Sequence, residues 1–85
     1  MPEISRFFGI VIGMFHNEHG VAHFHARYSD YKATIEIESE RVHGYLPPRV
    51  LALTLEWTRL HRAELNENWR RARAQAPVVR IRPLE

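Results

Sequence analysis

The sequence predicts an α+β fold: a three- to four-stranded, mainly antiparallel sheet with two C-terminal helices packed on one face. Two observations predict it. The first half of the chain has short apolar or alternating runs separated by turn residues, which is typical of antiparallel strands. The second half, from Pro48 to Ala76, repeats apolar residues at helical spacing. Because the strands come first and the helices last, the helices should cover one sheet face.

The composition predicts one domain, spanning residues 1–85. The chain contains no cysteine, which excludes disulfides and thiolate zinc sites and is typical of cytoplasmic proteins. Its first apolar run, Phe7 to Phe15, is shorter than the ~20 residues that a membrane span needs. We therefore expect a cytoplasmic protein that does not enter a membrane. A core this small would gain from homodimerisation or from a bound metal ion.

The first predicted strand runs from Ile4 to Phe15, and both of its faces are apolar, as in a covered central strand. The next two strands, HFHARY and YKATIEI, flank a turn at Ser29-Asp30, which gathers their apolar residues on one face. The other face is polar or titratable: His23, His25, Arg27, Lys32, Thr34 and Glu36. A further turn at Ser39-Glu40 would pair Ile37 with Val42 and Glu36 with His43.

The helical region begins near Pro48, a residue that suits the first turn of a helix. Its apolar stripe changes phase around His61, which predicts two helices, or one bent helix, ending before Pro77. The closing VVRIRPL predicts a short edge strand or a partner-binding arm. We expect five aromatic residues in the core: Phe24, Tyr28, Tyr31, Trp57 and Trp69.

The polar sheet face suggests two kinds of chemistry. His23 and His25 point the same way from one strand, so both can reach one ion. With His19 from the preceding loop and Glu36 in support, they would suit a divalent metal such as zinc. Alternatively, His23 and His25 would act as an acid–base pair on a phosphodiester, with Arg27 stabilising the phosphate. A third alternative is a structural interaction protein whose histidines matter little.

Arginine dominates the cations, since Lys32 is the only lysine among twelve basic residues. Arginine favours planar, bidentate partners such as phosphate, and clustered basic residues indicate nucleic acid or an acidic protein partner. The arginines that end the second helix also simply complement its dipole. The candidate nucleic-acid-binding residues are Arg6, Arg27, Lys32, Arg70, Arg71 and Arg73.

Four segments resemble a family of small bacterial proteins called domain of unknown function 4160: ISRFFGIVIGMF, EHGVAHFHARY, LEWTRLHRAELNENW and IRPLE. Its motif, ISRFxGIxIxM followed by HxxxHFHA, covers Ile4–Phe7, Gly9, Ile10, His19 and His23–Ala26. The family usually has proline where this chain has Ala22, and His16 and His43 lie outside the pattern. Members are often encoded beside a second small protein. The resemblance therefore implies a toxin–antitoxin-like module, but it supplies no reaction.

Together these observations predict a component of a two-gene module. It would bind the small protein encoded by the neighbouring gene, and also RNA, through the His/Arg face and the basic C-terminal end. The alternative is a divalent-metal-binding module built on the His-x-His strand.

Overall fold

The computed structural model describes residues 2–85, which form a five-stranded antiparallel sheet followed by two helices. The strands lie side by side in chain order: β1 (Glu3–Phe7), β2 (Ile10–Gly13), β3 (His23–Tyr28), β4 (Tyr31–Glu36) and β5 (Val42–Gly44). The helices are α1 (Pro48–Leu60) and α2 (Arg62–Arg73). The predicted α+β class is confirmed, with slightly more strands than predicted. Neither helix within residues 2–85 is long and apolar enough to cross a bilayer.

The additional strand comes from the N-terminal run, where the prediction of one strand from Ile4 to Phe15 is wrong. The run folds into a hairpin whose turn is Phe8-Gly9, with φ of 50° and 81°. Positive φ at both central residues is the two-residue turn that matches strand twist. Phe8 is therefore 59% exposed at the turn, whereas Ile10 and Ile12 are buried. The sequence did not indicate this turn, because the apolar run continues through it.

The predicted pairing of β3 with β4 is confirmed, since Phe24 lies opposite Ile35. Tyr31, expected in the core, is 44% exposed because it lies beside the turn. The predicted pairing of β4 with β5 is wrong by two residues, because Val42 lies opposite Ile35 rather than Ile37. Ile37 instead lies in the five-residue loop between β4 and β5, where its amide donates to the carbonyl of Ala22 and its side chain is fully buried.

The helices cover the apolar face of the sheet, with Trp57 at the centre of the contact. Its ring packs against Phe7 and Phe24, with centroids 5.4 and 5.8 Å apart. The two predicted helices are confirmed, and His61 separates them at φ −123°. The His61 Nδ1 lies 2.6 Å from a carboxylate oxygen of Glu64 on the first turn of α2. This face is the hydrophobic core, so the opposite face is left to polar side chains.

The C-terminal segment, predicted as an edge strand or an arm, follows the protein's own surface without forming a regular strand. The amide of Ile81 donates to the carbonyl of Ile4 on β1 at 2.7 Å, and Ile81 is buried. The buried Asn68 side chain bonds both the amide and the carbonyl of Val79, at 2.8 and 2.7 Å. The segment thus covers the outer edge of β1, an edge that would otherwise offer unpaired backbone groups.

Candidate functional site

The loop between β2 and β3 is held against the end of α2. The imidazole Nε2 of His16 lies 3.2 Å from the carbonyl of Ala76, and the side-chain Nε2 of Gln75 donates to Oδ1 of Asn17 at 2.8 Å. Asn17 adopts a φ of 63°, a left-handed conformation that asparagine tolerates better than most residues. These contacts fix the path of the loop and carry Glu18 to the start of β3.

Glu18 meets both histidines of the His-x-His strand. Its Oε1 lies 2.7 Å from Nε2 of His25, and its Oε2 lies 3.2 Å from Nε2 of His23. The other ring nitrogen of His23, Nδ1, lies 2.8 Å from the carbonyl of Val21. One carboxylate therefore faces two imidazoles, and a backbone carbonyl fixes one of them from behind.

Aromatic rings hold the two imidazoles in place. The ring of His23 packs against Trp69 of α2, with centroids 5.0 Å apart, and His25 meets the edge of Phe15 at 4.7 Å. The side chains of His23, His25 and Glu18 are only 17%, 24% and 27% exposed. A half-buried, hydrogen-bonded cluster loses less entropy on binding a ligand than a set of free surface side chains.

The carboxyl of Glu18 stays ionised in this setting. Burial raises its pKa, but the hydrogen bonds with His25 and then His23 outweigh burial, so the pKa lies below its ordinary value. Three candidate ligand atoms, one from each side chain, lie within 4.8 Å of one another. Two imidazoles and a carboxylate form a donor set that first-row transition metals accept.

The structure does not bring the other two predicted metal ligands into this cluster. Glu36 lies opposite His23 in the sheet, yet its oxygens are engaged by Nε2 of His43 at 2.9 Å and the hydroxyl of Ser39 at 2.7 Å. These two hydrogen bonds lower the pKa of Glu36. His19 directly follows Glu18 in the loop, and its side chain is exposed to solvent. Glu18 takes the place that the sequence suggested for Glu36.

Beside the cluster runs a groove over the polar face of β3, β4 and β5, which we call the β3–β5 groove. Its volume is about 580 Å³, and it is lined by Phe15, His25, Arg27, Lys32, Ala33, Thr34, His43 and Gly44. His25 belongs both to the groove and to the Glu18 cluster. The predicted open polar face is thus present, bounded by the ring of Phe15.

Two cations of the groove face each other without a counter-charge. Arg27 and Lys32 are direct partners across β3 and β4, and both are exposed. Within residues 2–85, no carboxylate lies within ion-pairing distance of either one. Like charges directly opposite each other destabilise a sheet. An anionic ligand placed between them would remove that cost.

The other predicted nucleic-acid-binding arginines lie away from this groove. Arg6 is paired with Glu3 at 2.8 Å, whereas Arg70 and Arg71 both pair with Glu67. Arg73 is exposed at the last turn of α2. The basic C-terminal end is therefore partly neutralised by its own helix.

The predicted acid–base residues do share one face of β3, with the rings of His23 and His25 5.5 Å apart and Arg27 two residues further along. Both nitrogens of His23 are engaged, whereas His25 has one engaged nitrogen among the described residues. His25 is thus the freer of the two for proton transfer.

Sequence reasoning missed Glu18 and Phe15 as site residues, and it placed His43 beside Glu36 without assigning it a role in the site. Glu18 stands five residues before His23, in a loop whose path no periodicity indicates. The available signal was chemical, since Glu18 is the only carboxylate between the hairpin and the His-x-His strand.

Comparison with known families finds one match, to a model described as "Domain of unknown function (DUF4160)", over residues 9–70. The match includes the groove, the Glu18 cluster and both helices up to Arg70. No curated protein and no solved structure matches the chain.

Proposed function

Because the chain belongs to the DUF4160 family, whose description names no activity, we propose a function from the site itself: binding of single-stranded RNA through its phosphates in the β3–β5 groove. The observation that carries this proposal is that Arg27 and Lys32 lie opposite each other, with no carboxylate of residues 2–85 paired to either one. A phosphate between them accepts hydrogen bonds from both cations, and guanidinium matches the geometry of phosphate oxygens.

The rest of the groove supports a nucleic acid over a small anion. Phe15 is 39% exposed at the groove wall, so its ring offers a surface on which a base can stack. His25 and His43 add two imidazole groups in the neighbouring cross-strand row, where both lie opposite Thr34. A cationic track with an adjoining aromatic ring is the usual arrangement of sites that bind single strands without sequence preference.

Fluorescence anisotropy with a labelled single-stranded RNA of mixed sequence tests this proposal. The double variant Arg27→Gln/Lys32→Gln is expected to weaken the affinity at least tenfold. Losing two phosphate contacts should also lower the slope of log affinity against log salt by about 1.4. The matched control, Arg49→Gln/Arg82→Gln, removes the same charge from exposed arginines outside the groove and should change the affinity less than threefold. Equal losses in both variants would show a mere net-charge effect and refute the proposal.

We also propose that the protein acts in a toxin–antitoxin-like two-gene module and binds the small protein encoded beside it. One surface favours such a partner: Tyr31 and Tyr45 are 44% and 58% exposed, and their rings touch with centroids 5.5 Å apart. Exposed tyrosines are enriched at protein–protein interfaces. Co-purification with the neighbouring gene product should be lost in Tyr31→Ser/Tyr45→Ser and retained in Leu60→Ser, which alters an exposed apolar residue on α1. If the tyrosine variant still co-purified with the neighbouring gene product, the proposal that this surface binds the partner would be refuted.

A further inference from the structure

The hydrogen bonds of His23 cannot all be made by a neutral imidazole. Its Nδ1 lies 2.8 Å from the Val21 carbonyl, which only accepts, so Nδ1 carries the ring proton. A neutral ring then presents the lone pair of Nε2 to Glu18, whose Oε2 lies 3.2 Å away and also has only lone pairs to offer. A neutral ring therefore leaves this contact without a proton, and a metal ion between the two atoms would satisfy both lone pairs.

The surroundings of the cluster favour the metal ion. A metal-bound histidine almost always donates its remaining N–H to a carbonyl or carboxylate, which is what Nδ1 of His23 does. Ligand atoms about 2.0–2.1 Å from a tetrahedral ion lie roughly 3.3 Å apart. The contact between His23 and Glu18 already has this spacing, at 3.2 Å, and all three candidate ligand atoms lie within 4.8 Å of one another. A tetrahedral ion would also need the 2.7 Å contact between His25 and Glu18 to lengthen toward this spacing, by rotation of their side chains.

The position of the cluster leaves room for a further ligand. Three protein ligands hold an ion and leave one position of a tetrahedral site for water or another small ligand. His25 also lines the β3–β5 groove, so the site adjoins the open face rather than the core. The loop that carries Glu18 is fixed to Gln75 and Ala76, so this carboxylate is held in place before an ion arrives.

We propose that Glu18, His23 and His25 bind one divalent first-row transition metal ion, with zinc as the ion whose ligand preferences they match. This inference does not depend on RNA binding: although His25 borders both sites, the zinc ligands do not include Arg27 or Lys32, and the test uses zinc alone.

The experiment uses the full chain without a histidine tag, stripped of metal with a chelator and titrated with zinc in a calorimeter. We expect one zinc ion per chain and a melting temperature that rises with zinc concentration, since a ligand of the folded state stabilises it. Cobalt provides a second readout, because tetrahedral cobalt absorbs visible light much more strongly than octahedral cobalt in water does. Glu18→Gln, which keeps the shape of the side chain, and His25→Gln should each weaken zinc binding at least tenfold.

The second His–carboxylate pair supplies a matched control. His43 and Glu36 are hydrogen-bonded at 2.9 Å but include one imidazole only, so the variant His43→Gln/Glu36→Gln should bind zinc as the parent does. His19→Gln should also bind zinc normally. Circular dichroism checks that every variant is folded. If Glu18→Gln or His25→Gln is not folded, His23→Gln takes its place. Absence of stoichiometric zinc binding by the folded parent overturns the proposal. Undiminished binding by Glu18→Gln, or loss of binding in the His43/Glu36 control, overturns it as well.

Discussion

Replacing Asn68 by alanine should destabilise the protein by about 2 kcal/mol, since two intramolecular hydrogen bonds are lost at about 1 kcal/mol each. Asn68 is 2% exposed, and its amide bonds both the N–H and the carbonyl of Val79. The change removes the attachment of the C-terminal segment to α2. For a domain of this size we expect the melting temperature to fall by roughly 10 °C.

Asn66 provides the control for this prediction, because it is an asparagine on the same helix. Its side chain donates to the exposed Glu38 carboxylate at 2.9 Å, a surface contact that contributes little. Asparagine-to-alanine changes raise helix propensity by a similar amount at both positions, so that effect cancels in the comparison. Urea unfolding of both variants gives the difference in unfolding free energy. A difference below about 0.5 kcal/mol would refute the role that we assign to Asn68.

Two further predictions concern pH and backbone strain. Hydrogen bonds from Arg59 and then Arg62 lower the pKa of Glu40 to about 2, so the folded state binds fewer protons there than the unfolded chain does. The stability that Glu40 contributes, roughly 1–2 kcal/mol after solvent screening, is therefore complete above pH 4.5 and lost as the pH falls toward 2. Urea unfolding across this pH range should show the loss in the parent. The unfolding free energy of Glu40→Gln should depend less on pH. Gly44→Ala should cost about 2 kcal/mol more than Gly20→Ala in the same assay. Both glycines have positive φ, but a Cβ on Gly44 would lie 2.6 Å from a β4 carbonyl oxygen, whereas one on Gly20 meets no described atom within 4 Å. Equal costs would contradict the steric argument.

The parts of the fold that were predictable are those that periodicity determines. The register of β3 and β4 follows from alternation, because a slip of one residue would turn Phe24 out of the core. The break at His61 follows from the change of phase in the apolar stripe. The N-terminal hairpin was not predictable in this way, because residues on both sides of Phe8 are apolar and a phenylalanine at positive φ is rare.

The candidate site was only half predictable for a related reason. His23, His25, Arg27 and Lys32 belong to regular strands, so their common face could be inferred from position alone. Glu18 belongs to a loop whose path depends on hydrogen bonds to residues 75 and 76, about sixty positions away. No local pattern encodes contacts of that range, and the ligand set that sequence suggested therefore named Glu36 instead.

The long-range anchoring of the Glu18 loop has a consequence for the order of events during synthesis. The β3–β4 hairpin can form as soon as its own residues are available, because its contacts are local. The loop bonds to Gln75 and Ala76, however, require that α2 has been translated and has docked. We therefore expect the two histidines to be placed early and their carboxylate partner late, so that a nascent chain lacking α2 has the strand of the site without its ligand-binding geometry.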